Sequence, residues 1–462
     1  MTLIKSISGI RGTIGGAQGE NLTPIDAVKY AAAYGAWIKQ QRDKSLHKIV
    51  VGRDARISGH MVQELVMQTL VGMGIHVVDL GLSTTPTVEV AVVLEKADGG
   101  IILTASHNPK QWNALKLLNN KGEFLNAEAG QEILNIAENG KIDFADVDAL
   151  GQITINDAYI DIHIEEILNL PLVNVEAIKK AKFKVVVDAV NSTGGIAVPL
   201  LLEALGVDPV KLYCTPNGQF PHNPEPLKEH LGDLMELVVK EKADFGLVVD
   251  PDVDRLAFVD ENGDMFGEEY TLVAVADYIL QNTPGNTVSN MSSSRALRDV
   301  TNKYGCSYTA SAVGEVNVVD LMKETHAVIG GEGNGGIIYP ELHYGRDSLV
   351  GIALFLSYLA EINSSVSELR KGYPAYFASK NKIQLTPELD VEGILKAMEA
   401  KYSSEDINTI DGVKIDFEEK WVHLRKSNTE PIIRIYTEAK SQQAADDLAE
   451  RFINEIIEIS KS

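Results

Sequence analysis

Gly100-Ile101-Ile102-Leu103, followed by Thr104-Ala105-Ser106-His107-Asn108-Pro109, is a short apolar run that stops at small and turn-forming residues. Such a run reads as a buried strand, and Thr104 to Pro109 reads as a loop at its carboxyl end. Pro109 sets its own φ and turns Asn108 away from helix, so the loop is stiff. It presents one serine hydroxyl. Most loop serines only cap a turn, so the surroundings of Ser106 decide what it does.

Working outward, the same plan repeats. Lys48-Ile49-Val50-Val51 reads as a strand ending at Gly52-Arg53-Asp54. Ser58 is placed to cap a helix that carries Met61, Val62, Leu65, Val66 and Leu70 and stops at Gly72 and Gly74. Ile75 to Leu80 is the next strand, and Thr85-Pro86 opens the next helix. This β-α-β-α-β order predicts a largely parallel sheet under helices, with ligand loops at the strand carboxyl ends. The pattern recurs at Phe183 to Asp188, at Phe245 to Asp250 and at Ala327 to Glu332. The last stretch differs. Val413 to Phe417, Trp421 to Leu424 and Ile432 to Tyr436 alternate or pair as antiparallel strands, and Ser441 to Ile459 is a closing amphipathic helix. The fold class expected is α/β, with three related units built on mixed, mostly parallel sheets and a C-terminal α+β domain. The expected units are residues 1–150, 151–256, 257–368 and 369–462.

The chain has 462 residues and a formal net charge of −23. That charge argues against nucleic acid and acidic membranes as partners, but it leaves room for a small anion gripped by locally clustered arginines. Two distant cysteines, Cys214 and Cys306, rule out a disulfide framework or a C-x-x-C zinc site. The start of the chain has no apolar signal core, and no apolar run approaches the ~18 residues of a membrane span. A cytoplasmic protein is expected, as a monomer or homodimer.

Three further loops carry chemistry. Asp250-Pro251-Asp252-Val253-Asp254-Arg255 spaces three carboxylates at i, i+2 and i+4, on one face if the segment is extended. Like charges so close call for a cation, and a hard divalent ion takes such oxygens. An EF-hand is excluded, because Arg255 stands where its glycine must be and Leu256 to Val259 reads as a strand. Gly330-Gly331-Glu332-Gly333-Asn334-Gly335-Gly336 lets backbone approach a ligand and offers a carboxylate and an amide, which suits sugar hydroxyls. It lacks the Gly-Lys-Ser/Thr ending of a P-loop. Arg425-Lys426-Ser427-Asn428-Thr429-Glu430-Pro431 with Arg434 gathers guanidinium, hydroxyl and amide donors in a set that suits a phosphate. Asn113 and Lys116 lie close enough in sequence to return to Ser106, and a lysine near a phosphate can move a proton or neutralise charge. Arg346-Asp347 is either a substrate contact or a helix-start ion pair.

These four loops, in this order, resemble those of the α-D-phosphohexomutase family over nearly the whole chain. The resemblance implies four domains around a central cleft and an intramolecular phosphotransferase of the isomerase class. Thr104 to Pro109 is similar to the family's phosphoserine loop, Asp250 to Arg255 to its magnesium loop, Gly331 to Gly336 to its sugar loop, and Arg425 to Arg434 to its phosphate loop. By resemblance Ser106, Lys116, Arg11 and His107 are catalytic. Ser106, Asp250, Asp252 and Asp254 would hold one Mg²⁺. Arg255, Glu332, Asn334, Arg425, Ser427, Asn428, Thr429 and Arg434 would bind substrate. A hexose bisphosphate would be intermediate and activator. Many relatives end the sugar loop in a histidine where this chain has Gly336, and Ala114 replaces a common glycine. The expected reaction interconverts hexose 6-phosphate and 1-phosphate, with glucosamine phosphate first and mannose or glucose phosphate as the alternative. A metal-dependent sugar-phosphate phosphohydrolase is the reading from outside the family; it would need only one reacting end and no Ser106.

Overall fold

The computed structural model describes residues 2–6, 9–41, 44, 46–384, 390–426 and 432–460. Its first three sheets share one strand order. In the first unit His47–Arg53 lies between Ile75–Leu82 and Gly99–Leu103, both parallel to it, and Trp112–Leu118 adds antiparallel to Gly99–Leu103. In the second, Lys184–Asp188 lies between Asp208–Leu212 and Phe245–Val249, and Leu256–Val259 returns antiparallel to Phe245–Val249. In the third, Thr287–Asn290 lies between Tyr308–Ser311 and Ile329–Glu332, and Gly336–Ile338 returns antiparallel. The parallel strands are buried on both faces, which is why they read as continuous apolar runs.

The returning strand matters most. Each of the three sequence motifs is the hairpin between the last parallel strand and its antiparallel neighbour. Residues 104–111, 250–255 and 333–335 occupy equivalent places in the three units. The fourth unit is an antiparallel five-stranded sheet, Phe377–Gln384, Ile432–Ala439, Trp421–Lys426, Val413–Asp416 and Asp406–Asn408 in spatial order. Its helices are Val391–Lys401 and Gln442–Ile459, the latter capped by the Ser441 hydroxyl. The phosphate-type loop again joins two antiparallel strands, but Ser427, Asn428 and Thr429 lie outside the described residues.

The sheets shift the expected unit boundaries. Ile153–Ile155 pairs with Ile75–Leu82, so the first sheet runs past residue 150. Leu256–Val259 belongs to the second sheet rather than the third unit, because it pairs antiparallel with Phe245–Val249 along its full length. Helix Val366–Lys371 spans the break expected at 368. Ser58 precedes helix Gly59–Gly72 without a side-chain cap; its hydroxyl accepts from Asn113 Nδ2 instead, at 3.0 Å. Among the described residues no helix is long and apolar enough to cross a membrane.

Apolar packing divides the chain unequally. One continuous core joins the second and third units, from Ile160 through Phe245, Phe258 and Phe355 to Tyr373. Helix Ser348–Ile362, almost wholly buried, lies in its middle. The C-terminal domain keeps a core of its own, built on Met398, Ile415, Leu424, Ile433 and Phe452.

Candidate active site

The Ser106 loop is held by a buried arginine. Arg56 donates from Nη2 to the carbonyls of Ser106 and Asn108, and from Nη1 to those of Pro109 and Trp112. Its Nε pairs with Asp54 at 2.9 Å, and both side chains are fully buried. Asp54 accepts from the Thr104 hydroxyl at 2.7 Å, and that hydroxyl accepts from the Ser106 amide at 2.9 Å. Phe220 of the second unit lies under the Arg56 guanidinium. The loop is thereby fixed with Ser106 at φ +48°.

The Ser106 hydroxyl donates to Asp250 Oδ2 at 2.7 Å, across 144 residues. Asp250, Asp252 and Asp254 are all fully buried, and each sends an oxygen to within 4.8 Å of the others. The expectation of an extended segment does not hold. The segment is a tight turn with Val253 at φ +66°, and the convergence comes from the turn. Segments of its own unit and of both neighbouring ones brace it. The Thr85 amide donates to the Asp252 carbonyl, and the Ser192 and Thr193 hydroxyls to that of Pro251. The Ser348 amide donates to the Val253 carbonyl, and Leu256 N–H to the Gly335 carbonyl of the sugar-type loop.

Outer oxygens of the trio are taken by fixed partners. Asp252 Oδ2 accepts from Lys116 Nζ at 2.7 Å and from the Thr85 hydroxyl at 2.6 Å. Asp254 Oδ2 accepts from Arg346 Nη2 at 2.7 Å. Among the described residues, Asp252 Oδ1 and Asp254 Oδ1 are buried and meet no hydrogen-bond partner. A buried carboxylate oxygen left so is costly unless a cation meets it. The residues therefore fit a hard divalent ion, held by Asp250, Asp252 and Asp254 beside Ser106.

Titration follows the same geometry. Burial, then the neighbouring Asp252 and Asp254, push the Asp250 carboxyl well above the usual range. Burial also opposes charge on Asp252, but Lys116 outweighs it and holds that carboxyl below the usual range. Asp252 and Asp254 in turn overcome burial to raise Lys116. His107 lies with Nδ1 3.4 Å from the Ser106 hydroxyl; burial, then Arg255 and Arg11, hold it well below the ordinary imidazole value. Arg11 is opposite Ala114 in the sheet and is lowered by burial against the pull of Asp252.

Other expected residues fall into place unevenly. Glu332 Oε1 accepts from Asn290 Nδ2 at 2.8 Å and Oε2 from Arg346 Nη1 at 2.8 Å. Asn334 is turned into its own loop, accepting from the Gly336 amide. Arg255 faces Glu225 at 3.5 Å. Arg425 is paired with Asp411 at 2.7 Å and sits opposite Arg434 across the C-terminal hairpin. Asn113 does not return to Ser106, since Ser58 takes its amide. Among the described residues Arg346 and Asp347 form no ion pair with each other. Asp347 caps helix Ser348–Ile362, and Arg346 joins Asp254, Glu332 and Glu315. Asp54, Arg56, Thr85 and Glu315 were not anticipated, because each acts across the fold on a segment far away in sequence.

Residues 3–143, 161–263 and 267–376 match alpha/beta/alpha domains I, II and III of phosphoglucomutase/phosphomannomutase, and residues 361–455 match its C-terminal domain. The chain is 38% identical over 450 residues to the phosphoglucomutase/phosphomannomutase of Thermococcus kodakarensis, covering 95% of this chain and 96% of that one. It is 32% identical over 451 residues to a probable phosphoglucosamine mutase of Methanopyrus kandleri, covering 97% and 96%. Among solved structures it is similar to a phosphoglucomutase/phosphomannomutase family protein from Burkholderia thailandensis, with a TM-score of 0.85, 26% identity and coverage of 100% of this chain and 98% of that one. With all four domains matched in order and relatives aligned along nearly its full length, the chain belongs to the phosphoglucomutase/phosphomannomutase family and is a phosphohexomutase, an enzyme of the isomerase class.

Proposed function

We propose that Ser106 is the phosphoryl carrier of this phosphohexomutase, and that the substrate is a hexose 6-phosphate converted to the 1-phosphate, or the reverse. The observation that carries this is the Ser106 hydroxyl at 2.7 Å from Asp250, inside a buried carboxylate trio with two orphaned oxygens. Phosphorylated Ser106 faces the free hydroxyl of the sugar phosphate. That hydroxyl loses its proton, its oxygen bonds to phosphorus, and the bond from Ser106 Oγ to phosphorus breaks. The bisphosphorylated sugar then turns over, and the same exchange runs backward at its other phosphate.

Asp250, Asp252 and Asp254 would hold Mg²⁺, which would supply Lewis-acid stabilisation of the charge on the transferring group. Lys116, an ammonium while Asp252 and Asp254 hold it, supplies positive charge and returns a proton to a departing oxygen. His107, kept uncharged, is the neighbour able to accept one. Arg11 and Arg255 add positive charge near the trio. Glu332 and Asn334 meet sugar hydroxyls, and Arg425, Arg434 and the 427–429 segment grip the phosphate that is not reacting. Such a grip fixes one end while the other aligns with Ser106.

Glucosamine phosphate is the preferred substrate in this proposal, supported by relatives named as phosphoglucosamine mutases. The name of the Thermococcus kodakarensis relative favours glucose and mannose phosphates as the second reading. Turnover of the three 6-phosphates compared side by side separates them, and a strong preference for glucose or mannose overturns the first. The carrier itself is tested by intact mass after incubation with a hexose bisphosphate. The wild type gains one phosphoryl group and Ser106→Ala gains none. Equal labelling of the two refutes the proposal.

A further inference from the structure

Arg346 is buried, yet it spends its guanidinium on the protein's own carboxylates. Nε meets Glu315 at 3.0 Å, Nη1 meets Glu332 at 2.8 Å and Nη2 meets Asp254 at 2.7 Å. Its backbone amide donates to the other Glu315 oxygen at 3.0 Å. One planar fork thus spans the metal-type loop, the sugar-type loop and the start of helix Glu315–Thr325. A lysine, a single point charge on a flexible stem, reproduces no such three-way geometry.

Glu332 depends on this fork. Its Oε1 has Asn290 at 2.8 Å and the Gly314 amide at 3.3 Å, but the only short bond to Oε2 among the described residues comes from Arg346. Arg346 therefore fixes one end of the carboxylate, while Asn290 and the Gly314 amide hold the other. The slot in which the arginine lies is kept open by Gly336. A Cβ at that position would stand 2.3 Å from Arg346 Cδ, so any side chain there displaces the arginine.

We infer that Arg346 is a positioning residue for sugar recognition, orienting Glu332 and tying its placement to that of Asp254. The inference rests on the proposed reading of Glu332 as the carboxylate that meets the sugar. Arg346 touches no substrate in this scheme. It acts through Glu332, and Gly336 acts through Arg346.

Calorimetric binding of hexose 6-phosphate to the full chain carrying Ser106→Ala tests this without turnover. Adding Arg346→Gln weakens binding by about tenfold or more, the worth of a hydrogen bond to a charged group. Arg346→Lys recovers only part of that loss. Gly336→Ala, which changes no charge, produces a loss of the same kind. In a Glu332→Gln background, Arg346→Gln adds less than about twofold, since the group it acts through is already altered. Unchanged affinity in Arg346→Gln and Gly336→Ala, or losses that multiply in the double variant, overturns the positioning role alone. Unchanged affinity in Glu332→Gln alone overturns the sugar-facing reading of Glu332 as well.

Discussion

Ser106 adopts the left-handed conformation, which costs a residue with a Cβ roughly 1–2 kcal/mol. Four carbonyl bonds from Arg56 and the Thr104–Asp54 link hold the loop against that cost. Replacing Arg56 with alanine leaves the Asp54 charge buried without its ion partner, so the expected loss is about 3–5 kcal/mol of stability. Urea unfolding of Arg56→Ala checks this, and a shift below about 1 kcal/mol would show that the loop does not need the arginine. The contrast between Ser106 and Arg56 shows what was legible in the sequence. Ser106, Asp250, Asp252, Asp254 and Glu332 stand in short contiguous motifs whose residue types announce their chemistry. Arg56 and Arg346 act through space, 50 and 92 residues from Ser106 and Asp254; nothing local marks Arg56, and the helix start that draws notice to Arg346 does not name its partners.

At the scale of elements, the repeat of strand and helix was readable, and so was Leu256–Val259 as a strand, but not its place as the antiparallel return of the second sheet, nor the third unit's return at Gly336–Ile338. Leu256–Val259 and Gly336–Ile338 are short and wholly buried, so they lack the alternation that signals a strand edge. A second device was equally hidden. Asp347, at the start of helix Ser348–Ile362, accepts from His163 of helix Tyr159–Leu168 at 3.0 Å and lies 3.3 Å from His343. His343 also faces Glu89 of helix Thr85–Leu94 at 3.3 Å. Burial works against a charged imidazole here, but Asp347 and Glu89 outweigh it and push His343 up to about 10. Burial raises Glu89 to about 8. Both folded values lie above the unfolded ones, so the folded state binds the extra protons. The His343 contribution is complete below about pH 6.5 and is lost as pH rises through about 10, and the Glu89 share falls in the same direction from about pH 4.5 to 8. Between pH 8 and 10 the decline belongs to His343, at up to about 1.4 kcal/mol per pH unit for one proton. Chemical denaturation of His343→Gln across that window should show a flatter profile than wild type, and parallel profiles would remove His343 from the account.

For the whole molecule, the separation of cores predicts which parts stand alone. The C-terminal domain meets the third unit through polar contacts. Arg295 reaches Asp416 and the Glu418 carbonyl, and Ser292 meets His423. Its apolar core is otherwise complete. A fragment of residues 374–462 should therefore unfold cooperatively in urea, whereas residues 161–263 expressed alone should not, because their apolar face is shared with helix Ser348–Ile362. A cooperative transition in the second fragment, or none in the first, contradicts that division. Sequence patterning showed four units but not this asymmetry, since a buried face carries no mark of which neighbour covers it.

The placing of one working loop on each of four hairpins has a further meaning for the life of the chain. A protein still emerging from synthesis, or nicked and missing one unit, owns the pieces of a phosphoryl-transfer apparatus without the apparatus. If the four loops act together as proposed, activity regained during refolding is expected to report the completion of assembly rather than the formation of any one part.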